Sequence, residues 1–305
     1  MAVYEHTYKQ YAGPETPRWS RFLVLPRHSY RGIFQSKFFI AIFVACFIYP
    51  LVASVLIYLH HNAEALAVME LAVRRLVPID AAFFENLVIG QGMSAFFITL
   101  LIGPPLISRD MTNNALPLYL CRPFSRAEYV VGKMSVLLIL LSLMTWVPIL
   151  LLFLFQSYLE GWAWFTENLR VAGAIFLGSW VWILLLALMS LAISSWLKWR
   201  LAASAALIGI FFIPMAFGEA INNIFFTRVG HLIGLPNLIK AAWSSLFGTF
   251  VSETGRISGF VRGQRFRNYV MYEPPPWASW LVLVGIGAFC LLLLVRKVRA
   301  YEVVR

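Results

Sequence analysis

Arg109 and Asp110 open a polar stretch of 26 residues, 108–133, and Gly132 and Lys133 close it. Arg122, Pro123, Ser125 and Arg126 lie between them. Guanidinium and ammonium groups around Asp110 suit ion pairing and electrostatic grip rather than bond chemistry. Long apolar segments hold both ends, so the stretch stays near a bilayer surface, placed for capture by a soluble partner. Other chemistries are missing from the chain. Gly132–Lys133 is followed by Met134, and Ala127 stands where a phosphate-binding loop needs its first glycine, so this is no P-loop. Neither Gly-x-Ser-x-Gly nor His-Glu-x-x-His occurs. His60–His61 reads as an interfacial flank rather than a metal site, because helical neighbours point about 100° apart. Cys46, Cys121 and Cys290 are too scattered for a disulfide framework or a metal cluster. The reading is a chain with no catalytic residues, no metal and no cofactor of its own.

The elements that hold this stretch follow from composition. Hydrophobic residues make up 60% of the 305 and charged residues 13%, with mean hydropathy +0.76. Such a chain is an integral membrane protein. A span needs about 20 mostly apolar residues, and six stretches meet or approach that: 38–59, 87–107, 134–157, 171–196, 201–218 and 279–295. Their apolar character is continuous rather than alternating, which excludes a β-barrel. The expected fold is an all-α polytopic membrane protein with six transmembrane helices. Residues 1–37 form an N-terminal region and 38–305 the six-span domain.

Charge then sets orientation. With six spans, one side holds 1–37, 108–133, 197–200 and 296–305, carrying 16 basic and 5 acidic residues; the other side carries 9 of each. The whole net charge of +11 falls on one face, which the positive-inside rule assigns to the cytoplasm, together with both termini. Anionic lipid at that surface explains the basic balance, and no nucleic acid is needed. No cleavable signal peptide is visible. Residues 17–37 instead mix Trp19, Phe22, Leu25, Tyr30 and Phe34 with five Arg and Lys, the pattern of an interfacial amphipathic helix, broken at Pro26.

As bounded above, the spans contain no Asp, Glu, Lys, Arg or His. That disfavours a proton-coupled carrier, which places ionisable groups at membrane depth, and a haem subunit, which needs axial His. Gln91, Ser94 and Thr99 in the second span are candidates to face a pathway, and Pro104–Pro105 should bend that helix just before the polar stretch. On the other side, 63–76 and 236–250 have helical amphipathic spacing, and 255–272 reads as a hairpin around Arg262–Gly263–Gln264.

These residues resemble a family. The polar stretch is similar to the loop between the second and third spans of ABC transporter permeases of the ABC-2 type. The likeness runs through Asp110, the Leu-rich turn 116–120 with Leu116, Tyr119 and Leu120, then Arg122–Pro123–Phe124–Ser125–Arg126, Tyr129 and Gly132–Lys133. The basic tail VRKVRAYEVVR also resembles that family's. The resemblance implies the transmembrane subunit of an ABC exporter in the bacterial cytoplasmic (inner) membrane, working as a dimer of permeases with separate ATPase subunits. ATP and Mg would bind the ATPase partner. Residues 108–133 would be the coupling loop, with Leu116, Tyr119 and Leu120 as an apolar knob flanked by Arg122, Pro123 and Arg126. Asp110 would cap a helix start or pair with Arg126 or Lys133. Residues 219–278 would be an external gate region in which 220–229 and 236–250 resemble short re-entrant helices. Two alternatives stay open: an ATP-independent carrier or channel, and a membrane scaffold subunit of a larger complex.

Overall fold

An apolar run in a bilayer finds no water for its amides, so it closes them on itself as a helix. In the computed structural model six helices are long and apolar enough to cross a membrane: Lys37–His61, Ala81–Ser108, Ala127–Glu160, Leu169–Trp196, Arg200–Phe225 and Pro276–Lys297. The structure describes residues 24–62, 78–113, 126–197, 199–225, 227–250, 256–261, 264–270 and 274–297.

Each span contains its expected apolar run and reaches beyond it. The second begins at Ala81 because the Asp80 carboxylate accepts from the Phe83 amide at 3.0 Å, an N-cap contact. The third begins at Ala127 and the fifth runs on to Phe225. Glu85, Lys133 and Glu219 therefore stand on spanning helices, outside the bounds expected from the apolar runs alone. The expected re-entrant helix at 220–229 is corrected by the same finding. Its first half continues the fifth span, and only a short 3-10 turn, Val229–Leu232, follows. The reason is tertiary: the Asn222 side chain accepts from the Gly230 amide at 2.8 Å, and Glu219 from Asn237 at 3.2 Å. Polar residues that look like a loop are occupied against the returning chain.

Two spans are interrupted where proline removes an amide. The first span breaks between Ala45 and Ile48, and the third at Thr145. Pro50 and Pro148 each stand four residues after a carbonyl they cannot bond, Cys46 and Met144.

The second, third and fourth spans make the interior. Over half of each is buried, against 17% of the first and 22% of the fifth and sixth, which face outward with large apolar side chains. Indole N–H groups tie the interior together: Trp182 donates to the Gly92 carbonyl at 2.8 Å and Trp243 to Gly178 at 3.0 Å. A methyl group at Gly178 would sit 2.8 Å from the Trp243 ring, so no larger residue fits this approach without displacing the indole.

The second amphipathic segment of the 219–278 region forms Leu235–Phe247, burying Leu235, Leu238, Ile239, Ala242, Trp243 and Phe247 on one face. The expected hairpin is present as antiparallel strands Arg256–Val261 and Gln264–Val270. Segment 63–76 lies outside the described residues.

At the chain's other end, Val24–Ile33 is helical. Pro26, where a break was expected, lies within this helix, and residues 17–23 lie outside the described residues. Leu25 and Pro26 are buried while Arg27 and His28 are exposed.

Candidate functional site

The end of the bundle that carries the polar stretch is built by six helix termini. There the first, third and fifth spans begin and the second, fourth and sixth end. The helix of the second span continues to Thr112, so Asp110 rides on its last turn. The next helix starts at Arg126 and places Tyr129 and Lys133 four residues apart, on one face.

These three residues meet. Lys133 Nζ lies 2.9 Å from Asp110 Oδ2, and the Tyr129 hydroxyl donates to the same oxygen at 2.8 Å. Tyr129 is fully buried and Lys133 is 6% exposed. The Lys133 ammonium also stands 5.9 Å from the centre of the Tyr129 ring. A lysine held this deep needs a counter-charge, and the carboxylate 23 positions earlier supplies it. Of the two roles open to Asp110, the observed one is pairing, with Lys133. The clasp joins the end of the second span's helix to the start of the third span.

Leu116, Tyr119, Leu120, Arg122 and Pro123 lie outside the described residues, as do the side chains of Arg109 and Arg126. Tyr30 reads in the sequence only as one aromatic among several, but it has a definite place. Its hydroxyl donates to the Val136 carbonyl at 2.9 Å and fastens the N-terminal helix to the third span. Burial pushes this phenol up to about 12.

The candidate pathway residues are inside the bundle. Thr99 is fully buried and its hydroxyl returns to the Ala95 carbonyl at 2.8 Å. Ser94 donates to Gly90 at 3.3 Å. Gln91 crosses to the first span, where Nε2 donates to the Cys46 carbonyl at 3.1 Å, while its Oε1 is buried with no hydrogen-bond partner. Of these three, only Gln91 combines burial with an unsatisfied polar atom.

At the opposite end the structure brings together residues that the sequence did not single out. Glu85 is 7% exposed, and its two carboxylate oxygens accept from the Ser244 and Thr249 hydroxyls. Arg170, at the start of the fourth span, donates to the carbonyls of Ser245 and Leu246, each at 3.3 Å. A cation over the last carbonyls of helix Leu235–Phe247 also opposes the negative end of its dipole. Trp280 of the sixth span donates to the Ser245 hydroxyl at 3.1 Å. Helix Leu235–Phe247 is thus latched by side chains of three spans. The one local signal for Glu85 was Asp80, whose capping role would have moved the helix start ahead of it.

No protein-family model matches this sequence, and no curated protein matches it.

Proposed function

We propose that this chain is the transmembrane permease subunit of an ATP-driven transporter of the ABC-2 type, an exporter, coupled to a separate ATPase. The observation that carries the reading is the Asp110–Tyr129–Lys133 clasp. It makes one rigid base from the end of the second span and the start of the third, so force applied to segment 113–125 passes into both helices. A loop on a loose base would absorb the same push. The net charge of +11 gathered on this face supports its lying in the cytoplasm, where Leu116, Tyr119, Leu120, Arg122, Pro123 and Arg126 would meet the ATPase. Helix Val24–Ile33, fastened by Tyr30, would lie in the interface beside it.

Six helices are few to enclose a pathway, and the outward apolar faces of the first and fifth spans suit a second permease copy as well as lipid. The chain is non-catalytic in this reading; ATP and Mg belong to the ATPase. At the far side the latched helix Leu235–Phe247 would serve as the gate, and its Glu85, Arg170 and Trp280 contacts would have to loosen for passage.

Glu85 is the observation that favours the runner-up, a carrier working alone, because a buried carboxylate on a span is what proton coupling uses. Both its oxygens are engaged in holding the gate helix, which gives it a structural role sufficient to explain its burial. The test is co-purification with an ATPase encoded beside this chain. Arg122→Glu with Arg126→Glu should weaken that association while membrane insertion survives. If the complex and its ATP-dependent transport persist, the coupling role is wrong; uphill transport by the chain alone in proteoliposomes would establish the carrier instead.

A further inference from the structure

A cavity of about 360 Å³ opens at the basic end of the bundle, between the N-terminal helix and the first, second, third and fifth spans. Its wall has two characters. Phe38, Phe39, Leu101, Ile102 and Leu106 make an apolar side that continues into the spans. His28, Lys133 and Arg200 bring cationic or titratable nitrogen to the other side, with Asp110 as the acidic member. Lys133 and Asp110 neutralise each other at 2.9 Å. Arg200 has no ion-pair partner among the described residues, nor does His28, so the cavity keeps a net positive charge.

Position fixes what can reach it. The cavity sits where the first span begins with Lys37 and the fifth with Arg200, and where the second ends beyond Pro105. That is the depth at which lipid headgroups meet acyl chains. Phe38 and Leu101 line it and are also exposed, at 66% and 38%, so its apolar side is open to the bilayer. A free phosphate would satisfy the cation and leave the apolar wall uncovered. A neutral lipid would cover that wall and leave Arg200 unanswered.

We propose that this cavity binds one anionic phospholipid, its phosphate against Arg200 and His28 and an acyl chain across Phe38, Leu101 and Ile102. The lipid headgroup then lies beside the Asp110–Lys133 pair, so its binding stiffens the base of segment 113–125. The inference rests on the membrane-spanning fold and not on the coupling role, and its test needs no ATPase.

The full chain, purified in detergent, would be offered phosphatidylglycerol and phosphatidylcholine of matched chains, with bound lipid counted by native mass spectrometry. The expected result is one retained phosphatidylglycerol per chain in preference to phosphatidylcholine. Arg200→Gln should weaken it about fivefold, the effect of one basic residue at a lipid surface. Leu101→Trp, which narrows the apolar side from an exposed position, should reduce retention of the same lipid. Arg296→Gln removes a cation at the same end of the sixth span that does not line the cavity, and should change nothing. Equal retention of the two lipids, or equal loss from Arg200→Gln and Arg296→Gln, would overturn the site. Displacement of the lipid by glycerol phosphate at matched concentration would overturn the acyl-chain half and leave a plain phosphate site.

Discussion

The Ser204 hydroxyl of the fifth span donates to the Leu100 carbonyl of the second at 3.2 Å. That carbonyl is the one Pro104 leaves without a helical amide, since a proline cannot bond the residue four before it. Pro104 and Pro105 nevertheless lie within one continuous helix, Ala81–Thr112. In a bilayer the unmet carbonyl would find no water, so a neighbouring span supplies a proton donor. The same hydroxyl is 3.1 Å from its own Arg200 carbonyl, and the two acceptors share it.

Ser204→Ala should destabilise the detergent-solubilised protein by about 1 kcal/mol, the net value of such a hydrogen bond. In a Pro104→Ala background the loss should shrink, because an alanine there restores the helical amide. Thermal unfolding of the four variants measures the coupling. Equal losses in the two backgrounds would show that the contact does not serve the proline.

Gln91 and Cys46 repeat this arrangement across a different pair of spans. Pro50 removes the amide that the Cys46 carbonyl would take, and Gln91 Nε2 takes its place at 3.1 Å. Gln91→Leu should cost about 1–2 kcal/mol and loosen the first span near its break. The check is thiol labelling of Cys46, which should quicken in the variant. Unchanged labelling and stability would leave Gln91 available for the pathway role suggested by its unsatisfied Oε1.

Asp110→Ala leaves the Lys133 ammonium buried without a counter-charge and should lower stability by about 3 kcal/mol. Adding Lys133→Met removes the stranded charge and should recover most of the loss. Denaturant or thermal unfolding in detergent distinguishes the cases. Were the double variant no better than Asp110→Ala, the pair would not be the clasp described.

The Tyr30 phenol, raised by burial from 10.0 to about 12, donates to Val136 only while protonated. A raised value means the docked state holds the proton more tightly than the undocked one. This hydroxyl's contribution to docking of the N-terminal helix is therefore fully present below pH 10, weakens between 10 and about 12, and is lost above. Tyrosinate absorbance of the wild type should contain a component titrating near 12 that Tyr30→Phe lacks. If the component that Tyr30→Phe removes titrates near 10 instead, the hydroxyl is not buried against the third span.

The spans were legible because their signal is local. Residues 171–196 spell an uninterrupted apolar run, and the structure ends that helix at the same Trp196. The hairpin was legible for a similar reason: Val261 pairs with Gln264, at the two edges of the expected turn. Span ends were less so. Glu85 and Asn86 look like a loop before residue 87, and Glu219, Asn222 and Asn223 like one after Gly218. Both segments are helical because their polar side chains are used elsewhere, on Ser244 and Thr249 in one case and on Gly230 and Asn237 in the other.

The polar stretch divides in the same way. Asp110 and Lys133 stood out in the sequence by their places beside apolar runs. That Lys133 and Tyr129 both reach the same Asp110 oxygen depended on where two helix ends come to rest.

By itself the amino-acid order determined how many helices could cross a bilayer and where each apolar run lies, but it pointed to Pro104–Pro105, which stand in an unbroken helix, whereas the interruptions fall before Pro50 and Pro148. Transfer of a side chain from water to hydrocarbon is a property of each residue, and such terms add along the chain. Only the tertiary structure decided which carbonyl Ser204 and Gln91 would serve, which carboxylate would accompany Lys133, and that Arg200 would stand over an open cavity. Hydrogen bonds and ion pairs act over a few ångströms of space, and residues 104 positions apart, such as Leu100 and Ser204, acquire that proximity only when the helices pack.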